Sequence, residues 1–176
     1  MDLGDATAPV AAIVGVVGTL LSALLTQRAA DRSRRREQAR ADELRERRGE
    51  ERELRSCYVE LNTAGRQYLA ALTDQLHALD QAEEPQSVRQ RLTEARDHYR
   101  DVYAQAQMRL EQRVLAHATE VSHGLGAVYG MVRRLDDGVP REGDSPLAVQ
   151  EAIDALWERS RVMRRAMRAD LGVFRA

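Results

Sequence analysis

The sequence predicts an all-α fold: an N-terminal transmembrane helix, then long antiparallel helices forming a coiled-coil-like three-helix arrangement. Three observations predict it. The 176 residues are 31% charged and only 4% aromatic, with 11 Gly and 4 Pro. That composition, rich in Ala, Leu, Arg, Glu and Gln, belongs to long helices. An uncharged run, Ala6 to Gln27, stands near the start. Beyond it, apolar residues recur every three or four positions in three stripes. Strand formers are scarce outside Met1 to Leu25, so little sheet is expected.

Residues 1–27 read as a short tail and a membrane span. About 20 apolar residues cross the hydrocarbon core as a helix. Val10, Ile13, Val14, Val16, Val17, Leu20, Leu21, Leu24 and Leu25 supply the insertion energy, roughly 0.3–0.6 kcal/mol each. A cleaved signal peptide would carry cations before the run and a small-residue cleavage site after it. Here Asp2 and Asp5 precede the run, and Arg28, Arg32, Arg34, Arg35 and Arg36 follow it. Cationic flanks stay in the cytoplasm. The expected placement is therefore the inner (plasma) membrane, N-terminus outside and C-terminal domain in the cytoplasm. The same arginines can bind anionic headgroups, each for about 1 kcal/mol near the surface. Inside the span, Ala11, Gly15, Gly18 and Ser22 fall on one helix face, where small residues permit close helix packing.

Residues 28–53 are charged and helix-favouring, with acid-before-base pairs Asp31–Arg35, Glu43–Arg47 and Glu51–Arg55. A solvated juxtamembrane helix is expected. Residues 54–176 form the cytoplasmic part, with helices over about 54–82, 88–136 and 146–172. The first stripe runs Leu54, Tyr58, Leu61, Gly65, Tyr68, Leu72, Leu76, Leu79, and stops before Pro85. Ser87 is a candidate cap for the second helix. The second stripe runs from Val88 through Leu110, Val114 and His117 to Leu135, and ends at the turn cluster DDGVPREGDSP. Ser145 followed by Pro146 marks the third start. The third stripe is Val149, Ile153, Leu156, Ser160, Met163, Met167, Leu171. In this three-helix layout the faces of Val121 to Leu135 and Ile153 to Leu171 lack a covering partner. A second copy of the chain would cover them, so a homo-oligomer is expected.

The net charge is −1, and every Lys/Arg position is arginine. Codon usage in a GC-rich genome accounts for that bias better than function does. No broad basic face appears, so no nucleic acid is expected as a ligand. One cysteine, Cys57, excludes an internal disulfide and fits a reducing compartment. GLGAVYG, Gly124 to Gly130, is not a dinucleotide fingerprint: Tyr129 stands where the third glycine belongs, and no strand precedes it. Its glycines fit close helix packing. Glu120 and His123 have the Glu-x-x-His spacing of a bundle di-iron ligand pair, but a second pair is missing. His117 reads as a core histidine, and Glu94, His98 and Asp101 as a surface charge cluster. No nucleophile elbow or zinc-ligand set is present. No catalytic residue, metal ligand or cofactor is assigned. Trp157 and Phe174 are candidate partner contacts.

The stretches VGTLLSALLTQRAADRSRRRE and CYVELNTAGRQYLAAL resemble small actinobacterial membrane-anchored helical proteins, a likeness covering roughly the N-terminal half. It implies one N-terminal span, an arginine-rich stretch and a helical domain, and it supplies no site residues. The layout is also similar to the b subunit of ATP synthase, although Pro85 and the returning helices depart from a single extended stalk. The function expected is that of a membrane-anchored, non-enzymatic scaffold with a self-associating cytoplasmic domain and a protein partner. The alternatives are a phage-type envelope-disruption protein with its coil outside the inner membrane, and a bundle metalloenzyme.

Overall fold

A computed structural model describes the backbone of residues 7–80 and 86–173, and the side chains of residues 38, 40–79 and 86–173. Four helices follow in order: α1 (Thr7–Asp80), α2 (Gln86–Gln107), α3 (Gln112–Asp136) and α4 (Pro146–Asp170). No strand occurs among the described residues, so the all-α expectation holds. The chain divides into two compact units, Met1–Glu50 and Glu51–Ala176, and α1 contributes to both.

In the first unit the described side chains are mostly exposed. Arg47 pairs with Glu43 at 2.7 Å, as the sequence predicts, and Arg45 with Asp42 at 2.8 Å. The Ala6–Gln27 run, the Ala11–Gly15–Gly18–Ser22 face and Arg28, Arg32, Arg34, Arg35 and Arg36 lie outside the residues whose side chains are described. Among the described residues, no helix is long and apolar enough to cross a membrane.

The second unit is an up-down-up-down four-helix bundle, in place of the expected three-helix arrangement. Neighbouring helices run antiparallel, as their contacts show. On α1 and α2, the Tyr68 and Tyr99 rings lie 5.8 Å apart. Between α2 and α3, Tyr103 and Thr119 hydroxyls are 3.0 Å apart, and Arg89 donates to Asp136 at 2.8 and 2.9 Å. Between α1 and α4, the Tyr58 hydroxyl donates to Asp170 at 2.6 Å. The core runs from Cys57 and Tyr58 on α1 to Met167 on α4.

The expected 88–136 helix is split at Met108–Glu111. Met108 and Arg109 N–H groups turn back to Gln105 and Ala106 carbonyls, and Leu110 bonds Ala106 at 2.9 Å. Leu110 stays in the core while Met108 is thrown into solvent, 86% exposed. Glu111 then starts α3 from an extended backbone with no side-chain cap. The break costs a few helix hydrogen bonds and a cap, each about 1 kcal/mol. Folding back buries Val114, Val121, Leu125, Val128 and Val132. At roughly 1.5–3 kcal/mol per fully buried aliphatic side chain, that gain exceeds the cost.

The hairpin removes the physical reason given for a second copy. Val121, Leu125, Val128, Val132, Ile153, Leu156, Met163 and Met167 are all buried within one chain. Segment 54–79 of α1 covers more than one neighbour because its buried face is wider than the single predicted stripe. Leu69, Ala64, Ala71, Gln75 and Ala78 are buried beside Leu61, Tyr68, Leu72 and Leu76.

At the other helix ends the sequence signals hold in part. Ser145 accepts the Ala148 N–H at 3.1 Å, with Pro146 in the first turn. Ser87 does not cap α2, which already includes Gln86. Gly138, at φ +71°, closes α3: its N–H bonds Leu135 and the next N–H bonds Arg134. That reversal needs a left-handed residue, which glycine supplies without a Cβ penalty. The loop that follows is tied by Arg134, which holds Asp144 at 2.6 and 2.9 Å.

Candidate interaction surfaces

The interior contains polar groups, and most serve packing. Tyr68, Tyr99 and Tyr129 bring three helices together, with Tyr103 stacked on Tyr99 at 6.0 Å. Arg96 lies over the Tyr129 ring, 4.8 Å from its centre, and donates to the Tyr129 hydroxyl at 2.7 Å. A cation over an aromatic face contributes about 0.5–1 kcal/mol at exposed sites and more when desolvated. Burial raises the pKa values of Tyr68 and Tyr99, so both phenols stay neutral. Tyr58 shifts the same way, through burial first and then its bond to Asp170. Among the described residues the buried Gln75 Oε1 and Tyr99 hydroxyl make no hydrogen bond, although Ser122 is near enough to Tyr99 to offset part of the burial effect.

Cys57 is a core residue, as the sequence suggests. Burial pushes its thiol pKa up, against the opposing charge of Arg109. A raised pKa means little thiolate and low nucleophilicity.

The histidine readings divide. His117 is not the core residue expected; Ala118 takes the buried position, and His117 stands half-exposed, 3.7 Å from Glu120. It borders an open cleft of about 590 Å³ with Glu111, Arg113, Val114, Ala166, Ala169 and Asp170. Glu120 and His123 are exposed, as are Glu94, His98 and Asp101. Among the described residues, no group of three or more His, Cys, Asp or Glu side chains is placed to hold a metal ion. Of the GLGAVYG glycines, only Gly124 meets another helix: a Cβ there would stand 2.5 Å from Leu156 Cδ2.

Trp157 is the candidate partner contact that the structure describes; Phe174 lies outside the described residues. Trp157 packs against the core and stays partly exposed. It lines a groove of about 320 Å³ between α4 and α1, with Thr63, Arg66, Gln67 and Ala70. The four α1 residues are all exposed. Three and four residues apart, they share one helix face. Sequence reasoning singled out Trp157 but missed the α1 wall, because Thr63, Arg66, Gln67 and Ala70 read as ordinary solvent positions.

Against known protein families, characterised proteins and solved structures, the chain shows no match.

Proposed function

We propose that this chain is a membrane-anchored, non-enzymatic interaction protein that holds a four-helix bundle in the cytoplasm. The observation that carries the reading is a pattern of charge: none from Ala6 to Gln27, then Arg28, Arg32, Arg34, Arg35 and Arg36. An uncharged run of that length suits a bilayer core, and cations on its C-terminal flank suit an inside location. The arginines also supply contact with anionic headgroups.

The bundle supports a binding role. Its core is filled by side chains of one chain, and the tyrosines and the Arg89–Asp136 pair within it fasten helix to helix. Partner contact then falls to surface features, with Trp157 foremost. Self-association, in this reading, belongs to the N-terminal helix face of Ala11, Gly15, Gly18 and Ser22 rather than to the bundle core.

A reporter fused after Ala176 tests the topology. A green fluorescent protein fusion should fluoresce at the membrane, and an alkaline phosphatase fusion should be inactive. An active phosphatase fusion would overturn the reading and favour envelope disruption from outside the membrane.

A further inference from the structure

The joints of the bundle differ in kind. The chain between α3 and α4, residues 137–145, carries Gly138, Pro140 and Gly143, and Pro85 stands between α1 and α2. Glycine and proline interrupt helices. The α2–α3 joint, Met108–Glu111, carries neither. Met, Arg, Leu and Glu are among the strongest helix formers. The apolar phase also runs through the joint unbroken: Val102, Ala106, Leu110, Val114 and Ala118 are buried at steps of four. That pattern suits one straight helix as well as two.

The bend leaves helix bonds unmade. The N–H groups of Glu111, Gln112, Arg113 and Val114 have no backbone acceptor among the described residues, and the Glu111 side chain does not cap them. Straightened, residues 86–136 would form one helix of about 75 Å, and those four N–H groups would meet the carbonyls of Gln107, Met108, Arg109 and Leu110. Outside the core, the joint is held to α1 by Arg109 and Glu53 at 3.1 Å, both well exposed. Exposed pairs of this kind contribute little.

The helices beyond the joint form one piece. Gly124 of α3 admits Leu156 of α4, Arg134 of α3 ties the connecting loop through Asp144, and α3 packs far more extensively on α4 than on α2. Straightening would carry this α3–α4 pair away from its own α1 and α2 and uncover the apolar faces between them. A second copy opened in the same way covers those faces with the same contacts. Arg89 to Asp136, Arg96 to Tyr129, Tyr103 to Thr119 and Tyr58 to Asp170 would each form between chains. The closed bundle and the exchanged pair differ at the joint alone: the pair gains helix bonds there and loses the freedom of two separate chains.

We propose that Met108–Glu111 is a hinge through which two copies of this chain exchange their α3–α4 pairs to form a dimer. The occupant follows from the contacts, since the surface that α3–α4 fits is the α1–α2 surface of this same sequence. The proposal goes beyond the reading above, which leaves self-association to the N-terminal helix face, and it stands whether or not the chain is anchored.

The test uses the full-length chain in detergent micelles, with Cys57→Ser as background. One batch carries a spin label at His98→Cys on α2, another at Ala127→Cys on α3. The batches are mixed at high concentration, warmed to just below unfolding and cooled. Exchange should bring the two labels within about 10–20 Å across chains, the spacing of neighbouring helices plus label length. Association through the N-terminal helices alone gives no such distance. Glu111→Pro should cut the exchanged fraction at least tenfold: proline suits the Glu111 φ of −63° in the closed form and interrupts the straight helix. Glu111→Ser, which gives α3 a cap only in the closed form, should cut it about fivefold per hinge. Circular dichroism of both variants should match the parent. No interchain distance after warming and cooling would overturn the proposal, as would an exchanged fraction that neither substitution lowers.

Discussion

Gly124→Ala adds one methyl group on α3 where it faces Leu156 of α4. The new Cβ would stand 2.5 Å from Leu156 Cδ2, 3.4 Å from Leu156 Cγ and 3.4 Å from an Arg159 guanidinium nitrogen. Leu156 is 2% exposed, so its methyl cannot swing away without displacing other core side chains. Overpacking of this kind costs about 1–3 kcal/mol. Replacing a mid-helix glycine with alanine returns about 1 kcal/mol of helix propensity. The net expectation is a destabilisation of about 0–2 kcal/mol. Gly126→Ala is the matched control, since nothing lies within 4 Å of its added Cβ. It keeps only the propensity gain, about 0.5–1 kcal/mol. The two variants, two residues apart on one helix, should move in opposite directions and differ by about 1–3 kcal/mol. Thermal unfolding followed by far-UV circular dichroism reads this as a Tm gap of several degrees, since each kcal/mol is worth roughly 3–6 °C in a domain of this size. If Gly124→Ala raised the Tm as much as Gly126→Ala, α3 and α4 would not be packed as described.

The α2–α3 hairpin has its own ruler. With Cys57→Ser as background, spin labels at His98→Cys and Ala127→Cys should report helix neighbours, roughly 10–20 Å apart once label length is added to an 8–10 Å helix spacing. An unbroken 88–136 helix would hold them about 44 Å apart. Arg89→Ala removes two charge-assisted bonds from Asp136, whose side chain is 4% exposed, and leaves it Arg133 at 3.8 Å. Breaking a buried pair costs about 3–5 kcal/mol; the 37% exposure of Arg89 and the remaining Arg133 contact bring the expectation down to about 1–3. Urea denaturation should show it as a lower midpoint with unchanged slope. Asp144 is held by Arg134 and by the Arg141 N–H, which lower its pKa to about 2. For a depressed carboxyl, the stabilisation is present above the unfolded pKa near 3.8 and is lost as pH falls through about 2. Acid titrations of the wild type should therefore lose stability across that window, and Asp144→Asn should flatten the loss; equal acid sensitivity of the two would contradict the clamp.

Much of the bundle is written in local periodicity. The buried positions of α4, from Val149 to Met167, follow its stripe, and Ser145-Pro146 marks its start because that cap is a matter of neighbouring residues. The break at Met108–Glu111 carries neither Gly nor Pro, and Leu110 keeps the apolar register across it. No local signal could reveal it; burial of the α3 stripe against distant parts of the chain decides it. The wide face of α1 had a faint signal in Ala64, Leu69, Ala71 and Ala78, which exceed what one stripe needs. Trp157 was legible as a contact candidate because a large aromatic one residue off a stripe cannot be fully buried. Its groove was not, since Arg66 and Gln67 gain meaning only when α1 and α4 are side by side. His117 misled because it shares the helical phase of the core, while the small Ala118 beside it turns inward instead.

The proposed membrane anchor carries the rest of the functional account, and an alkaline carbonate wash of membranes from cells making the full chain tests it most directly. The account predicts that the protein stays in the pellet through high salt and carbonate and is released only by detergent. It predicts too that Leu20→Arg with Leu21→Arg moves it to the supernatant. Recovery of the unaltered chain in the carbonate supernatant, free of lipid, would contradict it.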